Sequence, residues 1–246
     1  MIRAVVFDLG GTLLDYNPRG LSWLEWERTG LESAIAFLMS EGYRFSEECF
    51  IHHFIGVLPE RWERAAQGGE NLKLSDILVE AAAECALTLS PDALEGAISG
   101  YVAPLDKAVT MYDDALDTLD ALRERGLKMG LVSNTMWPAA WHQQELVRFG
   151  LAPYLDHTIF SSDVGVWKPQ PEIYRLSLDA LSVSPHEAMF VGDMLPHDIL
   201  GAQGVGMVGV HKRNDNLSLE DVPIVDVRPD AAITRLAELP PLLDLW

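Results

Sequence analysis

The first apolar segment of the chain predicts a buried strand. Residues 2–7 read Ile-Arg-Ala-Val-Val-Phe, and the segment Asp-Leu-Gly-Gly-Thr follows them directly. A short, β-branched apolar run that ends at a polar residue and a glycine pair is typical of a strand that enters a tight loop. We therefore predict that residues 2–7 form an interior strand with Asp8 at its end.

The following segment, residues 17–105, has a helical pattern of apolar positions instead of a second strand. Its first part repeats apolar side chains at helical spacing, at Leu21, Leu24, Leu31, Ile35 and Leu38. Gly42 can end that helix, and Ser90 followed by Pro91 is a start signal for a later one. Further helices are predicted over residues 46–66, 75–87 and 90–102. Residues 17–105 are thus predicted to be an all-helical insertion.

From residue 112 onward, helical patterns alternate with short apolar runs. The predicted helices cover residues 114–125, 139–149, 172–181 and 198–203, and the predicted strands cover residues 128–132, 158–161, 188–191 and 207–210. Such alternation indicates a parallel sheet with helices on both faces. The predicted fold class is α/β, with a Rossmann-like core of residues 1–16 plus 106–246 and a helical cap domain of residues 17–105.

Composition restricts the kind of partner. The chain has 18 Lys and Arg against 37 Asp and Glu, a formal net charge of −19. Nucleic acids and anionic lipid surfaces both select basic proteins, so neither is an expected partner. The opening apolar run stops at Asp8, too early for a signal peptide, and no segment reaches the roughly 20 apolar residues of a membrane span. The sequence predicts a cytoplasmic protein, either a monomer or a homodimer.

The chain has two cysteines, Cys49 and Cys85. Two cysteines alone make neither a disulfide framework nor a zinc site. Both lie in apolar segments with helical periodicity, so we interpret them as small buried hydrophobic side chains.

Candidate chemistry follows the predicted strands, at the edge where parallel sheets bind ligands. Asp8, Ser133 and Asp193 each stand near the end of a strand, Lys168 lies in a proline-flanked loop, and Asp198 follows Asp193 closely. Crowded carboxylates repel one another, and a hard cation such as Mg²⁺ neutralises them. A lysine and a hydroxyl can then hold phosphate oxygens, while a carboxylate attacks phosphorus. These residue types indicate a hydrolase of phosphate monoesters.

The ordered motifs resemble those of the haloacid dehalogenase (HAD) superfamily, in members with a helical cap inserted after the first motif. The resemblance spans nearly the whole chain. It implies that Asp8 is the nucleophile, that Ser133 binds the transferring phosphoryl group, and that Lys168 neutralises the nucleophile and the phosphate. Asn134 is expected to line the same loop as Ser133.

The resemblance also implies a Mg²⁺ site. Asp8, the Gly10 carbonyl and Asp193 are its expected ligands, with Asp198 beside the metal or its water. Because every expected ligand is an oxygen, the set has the chemistry that Mg²⁺ prefers.

Gly10 departs from the pattern of the family's phosphatases. They usually carry a second aspartate at this place, which protonates the leaving group and then activates water. General acid–base catalysis is worth about 10² to 10⁴ in rate, so its absence slows the reaction and favours an anomeric or acyl phosphate, whose leaving group is good. Candidate replacements are Asp15, Tyr16, His52 and His53, whereas His197 is expected to face solvent or anchor its loop.

The leading hypothesis is a magnesium-dependent phosphatase of a small phosphorylated metabolite, with Arg19 and Trp23 of the cap among its substrate contacts. Two alternatives stay open. A 2-haloacid dehalogenase also lacks the second aspartate and needs no metal, but Asp193 argues against it. A HAD-fold protein that binds without turnover is the other alternative, and Gly10 is its motivation.

Overall fold

A six-stranded parallel sheet forms the centre of the molecule, whose computed structural model describes residues 1–16, 20–213 and 227–246. The described strands are β1 Ala4–Phe7, β2 Leu14–Asp15, β3 Thr110–Met111, β4 Lys128–Ser133, β5 His157–Phe160, β6 Ala188–Gly192, β7 Val208–Lys212 and β8 Ala231–Ile233. Six of them pair in the order β5-β4-β1-β6-β7-β8, and every neighbouring pair is parallel. The predicted α/β fold class is confirmed, and β8 is an additional edge strand that was not predicted.

Helices account for most of the remaining chain. The described residues form α1 Trp23–Ser40, α2 Glu47–Ile55, α3 Leu58–Ala66, α4 Leu74–Glu84, α5 Pro91–Asp106, α6 Ala115–Glu124, α7 Ala139–Arg148, α8 Ser161–Val164, α9 Pro171–Leu181, α10 Leu200–Gly204 and α11 Leu239–Leu242. A π-helical turn covers Leu195–Ile199. Among these described residues, no helix is both long and apolar enough to cross a bilayer.

The central strand is buried on both faces, as its apolar composition predicts. Val5 and Phe7 belong to one hydrophobic cluster, whereas Ala4 and Val6 belong to another. Because side chains alternate across a strand, the two clusters lie on opposite faces of the sheet. β1 is therefore held rigidly, and Asp8 directly follows its carboxyl end.

The five helices α1–α5 share a hydrophobic cluster, which also includes Met136, Trp137 and Trp167 from the loops beside the sheet. Helices α1 and α5 approach closely at Gly30, where an added Cβ would lie 2.7 Å from the Tyr101 carbonyl oxygen. The single helix predicted over residues 46–66 is wrong, because α2 and α3 are separate. Pro59 lies in the first turn of α3 and has no N–H to continue the bonding of α2. The predicted cap limits of residues 17 and 105 stay a prediction.

A short antiparallel ladder stands where the helical region leaves and rejoins the sheet. Leu14 of β2 pairs with Met111 of β3, and Asp15 pairs with Thr110. The two connections are thus fastened to each other beside the loop that follows β1.

The interpretation of the cysteines as unpaired hydrophobic side chains is wrong. Cys49 of α2 and Cys85, which follows α4, form a disulfide across a sequence separation of 36. The packing of α2 against α4 brings the two sulfurs together. A pair so distant in sequence has no local signal, and both residues keep the apolar surroundings on which the interpretation was based.

Candidate active site

Three buried carboxyl groups converge at the carboxyl ends of the central strands. Asp8 follows β1, Asp193 follows β6, and Asp198 lies in the π-helical turn after it. One oxygen from each lies within 4.8 Å of the others, and each residue is at most 7% exposed. The structure therefore brings together three side chains that the sequence places in two separate motifs.

Lys168 joins two of these carboxyl groups. Its Nζ donates to Asp8 Oδ1 at 2.6 Å and to Asp198 Oδ1 at 2.7 Å, and the residue is 2% exposed. Further donors fix the remaining oxygens: the Met194 N–H donates to Asp198 Oδ2 at 2.9 Å, and the Thr12 hydroxyl donates to Asp8 Oδ2 at 3.3 Å. The carboxylates are thus oriented by hydrogen bonds before any ligand arrives.

Burial and neighbouring charge shift the pKa values of this pair. Burial raises the pKa of Asp8 from 3.8 to about 6, with Lys168 opposing the shift and Asp198 adding to it. Burial alone would lower the pKa of Lys168, but the charges of Asp198 and Asp8 outweigh it and raise that pKa to about 12. At pH 7, Lys168 is therefore protonated and Asp8 is mostly ionised, as a nucleophile requires.

Ser133 and Asn134 lie at the end of β4, the strand that pairs with β1. Ser133 is buried. Asn134 bonds the backbone of Lys168 at both ends of its amide: Nδ2 donates to the Lys168 carbonyl at 2.9 Å, and the Lys168 N–H donates to Oδ1 at 2.8 Å. Asn134 therefore ties the loop after β4 to the loop that carries the lysine, and its substrate contact stays a prediction.

The backbone at Gly10 faces the ring of Tyr16. An ideal Cβ built on Gly10 would lie 3.2 Å from Tyr16 Cδ2. The Tyr16 hydroxyl donates to Glu145 Oε2 at 2.5 Å and lies 3.1 Å from His142 Nδ1. Burial, followed by the charge of Glu145, raises the pKa of Tyr16 well above 10. A phenol held in this way is a poor proton donor, so the structure does not favour Tyr16 as the replacement acid.

The residues that contact the Tyr16 hydroxyl were not among the predicted site residues. His142 and Glu145 lie one helical turn apart on α7, and His142 Nδ1 is 2.6 Å from Glu145 Oε2. The other ring nitrogen of His142 is 2.8 Å from Thr135 Oγ1. A His-x-x-Glu spacing on an otherwise amphipathic helix is the signal that was available.

The other candidate acids have different surroundings. Asp15 is buried in β2, His52 is exposed on α2, and the rings of His52 and His53 pack edge to face. His197 is half-buried, so the solvent-facing alternative is wrong and the loop-anchoring one stays a prediction; burial, followed by the charge of Lys168, lowers its pKa. A role of Asp15, His52 or His53 in proton transfer to the leaving group stays a prediction.

Asn71 connects the helical region to the loop that carries the lysine. Its Nδ2 donates to the Ser162 carbonyl at 3.1 Å, and Trp167 Nε1 donates to Asn71 Oδ1 at 3.3 Å. Because Trp167 directly precedes Lys168, the cap side of the molecule is bonded to the immediate neighbour of the lysine.

Trp23 is the one predicted substrate contact of the cap that lies among the described residues. Arg19 lies outside the described residues. Trp23 donates its Nε1 to Glu27 Oε1 at 2.9 Å, and its ring packs edge to face on Trp62 at 5.4 Å. Trp62 in turn packs on Trp167 at 4.9 Å. The aromatic row leads from the first cap helix to the lysine loop, and the substrate contact of Trp23 stays a prediction.

Comparison with known families and proteins gives a consistent set of similarities. The family model of the haloacid dehalogenase-like hydrolases matches residues 2–206. A glyceraldehyde 3-phosphate phosphatase of Methanopyrus kandleri is 30% identical over 241 residues, which cover 97% of this chain and 96% of the relative. A ribulose-1,5-bisphosphate 5-phosphatase of Halopiger xanaduensis is 29% identical and covers 99% of this chain and 100% of its own.

Solved structures resemble this chain over its whole length. A HAD phosphatase from Thermococcus onnurineus superposes with a TM-score of 0.68 at 26% identity, covering 98% of each chain. A 2-haloacid dehalogenase from Pseudomonas syringae superposes with a TM-score of 0.70 at 25% identity, covering 100% of each. The architecture is therefore shared by a phosphatase and by a dehalogenase.

Proposed function

Because this chain belongs to the haloacid dehalogenase-like hydrolase family, we propose that it is a magnesium-dependent phosphatase that hydrolyses a small phosphorylated metabolite through an aspartyl-phosphate on Asp8. The observation that carries the proposal is the buried cluster of Asp8, Asp193 and Asp198 beside Lys168 Nζ. Two relatives that match nearly the whole chain carry phosphatase names, which supports phosphorus as the atom attacked.

In the proposed first step, a carboxylate oxygen of Asp8 attacks phosphorus and the bond from phosphorus to the leaving oxygen breaks. That oxygen keeps the bonding electrons. When it leaves as an alkoxide it takes a proton from water, because Gly10 has no side chain to supply one, and when it leaves as a carboxylate it needs no proton. In the second step, water attacks the phosphorus of the aspartyl-phosphate, and inorganic phosphate leaves. The bond from phosphorus to Asp8 breaks and Asp8 is regenerated as a carboxylate. The attacking water releases one proton, which balances the proton taken up by an alkoxide or passes to solvent when the leaving group is a carboxylate.

Two side chains are proposed to hold the phosphoryl group during these steps. The Lys168 ammonium neutralises charge on Asp8 and on the phosphoryl oxygens, and the Ser133 hydroxyl donates to one of those oxygens. Asn134 holds the lysine in place through the backbone of Lys168. Arg19 and Trp23 of the cap are proposed to contact the organic part of the substrate.

Mg²⁺ fits the donors that this site provides. The cluster offers carboxylate oxygens, which are hard ligands, and one ammonium stands among three carboxyl groups. Asp8, Asp193 and the Gly10 carbonyl would hold the ion, with Asp198 next to it. When bound, Mg²⁺ supplies the positive charge that lets carboxylates and phosphoryl oxygens share one site.

The proposed substrate class follows from the absence of a side chain at Gly10. Without a general acid, the reaction depends on how well the leaving oxygen carries negative charge. Anomeric and acyl phosphates meet this condition better than alkyl phosphates such as the substrate named for the Methanopyrus kandleri relative. We therefore expect the highest kcat/KM on an acyl or anomeric phosphate.

The test is the release of inorganic phosphate from glyceraldehyde 3-phosphate, an anomeric sugar phosphate and an acyl phosphate. Each is incubated with Mg²⁺, with a chelator, and with the Asp8→Asn variant. Asp179→Asn removes an exposed carboxylate of α9 and is the matched control. Release that requires both Mg²⁺ and Asp8, and that survives Asp179→Asn, supports the proposal. Release that persists in Asp8→Asn contradicts it.

A 2-haloacid dehalogenase is the second candidate. Its supporting observations are the missing carboxyl group at Gly10 and the structural likeness to the Pseudomonas syringae enzyme. In that reaction Asp8 attacks carbon and a halide ion leaves, after which water hydrolyses the ester. Chloride release from 2-chloropropionate without added metal, with no phosphate released from any ester, would favour it. Metal-dependent binding of phosphate esters with no product would instead favour a protein that binds without turnover.

A further inference from the structure

Gly10 and Tyr16 have complementary shapes. The Tyr16 ring stands 3.2 Å from the place that a Cβ on Gly10 would take, so the ring fills the space beside the loop that follows β1. The ring also packs edge to face on Trp137 at 5.9 Å. Tyr16 is therefore wedged between the loop that carries Asp8 and the loop that follows Ser133.

The hydroxyl of Tyr16 begins a chain of buried hydrogen bonds. It donates to Glu145 Oε2, which also lies 2.6 Å from His142 Nδ1. His142 Nε2 lies 2.8 Å from Thr135 Oγ1, and the imidazole is stacked between the rings of Trp137 and Phe160. With a proton on Nδ1, His142 donates to Glu145 Oε2, which then accepts twice, and the Thr135 hydroxyl donates to Nε2.

Each of the two strand ends is fastened to a different neighbour: the Asp8 N–H donates to the Val191 carbonyl of β6 at 2.9 Å, and Ser133 pairs with Phe160 of β5. The ladder between β1 and β4 ends at the pair Phe7 and Leu131. Asp8 and Ser133 both lie beyond that pair, so no hydrogen bond of this ladder fixes their separation. The side chains of Tyr16, Glu145, His142 and Thr135 continue the link where the backbone ladder stops.

We propose that Tyr16 is a positioning residue for the reaction. Through Glu145 and His142, it holds the loop of Asp8 and Gly10 at a fixed distance from the loop of Ser133. The inference rests on the proposed function, because it concerns the distance between the nucleophile and the hydroxyl that binds the phosphoryl group. Displacements of about 1 Å in such an arrangement cost up to about 100-fold in rate.

Tyr16→Phe tests this role, because it removes the hydroxyl and keeps the ring against Gly10. Tyr101→Phe is the matched control, since Tyr101 also donates from a buried hydroxyl to a glutamate, Glu27, but within the helical region. We expect Tyr16→Phe to lower kcat roughly 10- to 100-fold, with KM changing less than about threefold. Tyr101→Phe should lose comparable thermal stability and keep wild-type kcat.

A second pair of variants tests the far end of the chain of hydrogen bonds. Thr135→Val removes the hydroxyl that meets His142, whereas Thr135→Ser keeps it and should restore kcat. Thr118→Val is the control, because the buried hydroxyl of Thr118 has no hydrogen-bond partner among the described residues. We expect Thr118→Val and Thr135→Ser to have a kcat near that of the wild type. Thr135→Val should have a reduced kcat, comparable with that of Tyr16→Phe.

The outcomes separate this inference from the proposed function. If the wild-type protein releases no phosphate in an Asp8-dependent manner, the proposed function fails first. If it does release phosphate and Tyr16→Phe keeps wild-type kcat, the positioning role is overturned while the phosphatase stands. A fall in kcat that is matched by Tyr101→Phe would also overturn it, because the effect would then be loss of stability alone.

Discussion

Glu27 predicts a specific dependence of stability on pH. This carboxyl group of α1 is 7% exposed and accepts hydrogen bonds from the Tyr101 hydroxyl and from Trp23 Nε1. Burial raises its pKa from 4.5 to about 6, although both donors act in the opposite direction. The folded protein therefore binds this proton more tightly than the unfolded chain does.

The sign and the magnitude follow from proton linkage. A folded-state pKa above the unfolded value means that the contribution is fully present below about pH 4.5 and is lost as the pH rises through about 6. The difference between a pKa of about 6 in the folded protein and 4.5 in the unfolded chain corresponds to about 2 kcal/mol in the free energy of unfolding. Glu27 therefore destabilises the folded state at pH 7 relative to pH 4.5 by about this amount.

Urea denaturation of the wild-type protein and of Glu27→Gln, at several pH values from 4.5 to 7.5, measures this contribution. Other acidic groups also titrate in this range, so the quantity compared is the difference between the two proteins at each pH. We expect that difference to change by about 2 kcal/mol, with Glu27→Gln gaining relative to the wild type as the pH rises. Glu32→Gln, which removes an exposed glutamate of the same helix that is paired with Arg28, is the control for the loss of a surface carboxylate. A flat difference for Glu27→Gln would refute the reasoning.

Two further predictions concern the disulfide and the loop tie. Reduction of the Cys49–Cys85 disulfide, or the Cys49→Ala/Cys85→Ala variant, opens a loop with a sequence separation of 36. Either change should lower the free energy of unfolding by about 4 kcal/mol, measured by urea denaturation at 25 °C. Equal stability with and without reductant would contradict this prediction. Asn134→Leu breaks both bonds to the Lys168 backbone and should lower kcat for phosphate release about 10- to 100-fold. Asn134→Asp keeps only the acceptor, so its kcat should lie between the kcat of Asn134→Leu and that of the wild type. A different order would count against a positioning role of the two bonds to the Lys168 backbone.

The sequence predicted those candidate site residues that stand directly after a predicted strand. The apolar run before Asp8 and the alternation of strands and helices after residue 112 place β1, β4 and β6, and polar residues at their ends are readable without a structure. The structure does bring Asp8, Asp193 and Asp198 together with Lys168. Their roles in the reaction stay predictions, and so does the substrate.

The structural features that could not be predicted from the sequence depend on contacts between residues far apart in the chain. The disulfide joins positions separated by 36 residues, and the Tyr16 hydroxyl meets Glu145 across 129. Neither pairing can be predicted from local sequence, because the His-x-x-Glu spacing of α7 indicates His142 and Glu145 but not Tyr16, and the two cysteines have no shared motif. The break between α2 and α3 had a local signal in Pro59, which the apolar periodicity of the surrounding segment masked.

The fit between Gly10 and Tyr16 also restricts how this protein can evolve. An aspartate at position 10 would bring its Cβ to 3.2 Å from the Tyr16 ring, so an acid–base residue cannot be acquired there by one substitution without displacing the ring. Either the ring gives way by a few tenths of an ångström, or Tyr16 becomes a smaller residue, and the second change removes the hydrogen bond to Glu145. The two positions therefore form an epistatic pair, and related sequences should combine a glycine at the first with an aromatic residue at the second, or an aspartate with a small residue.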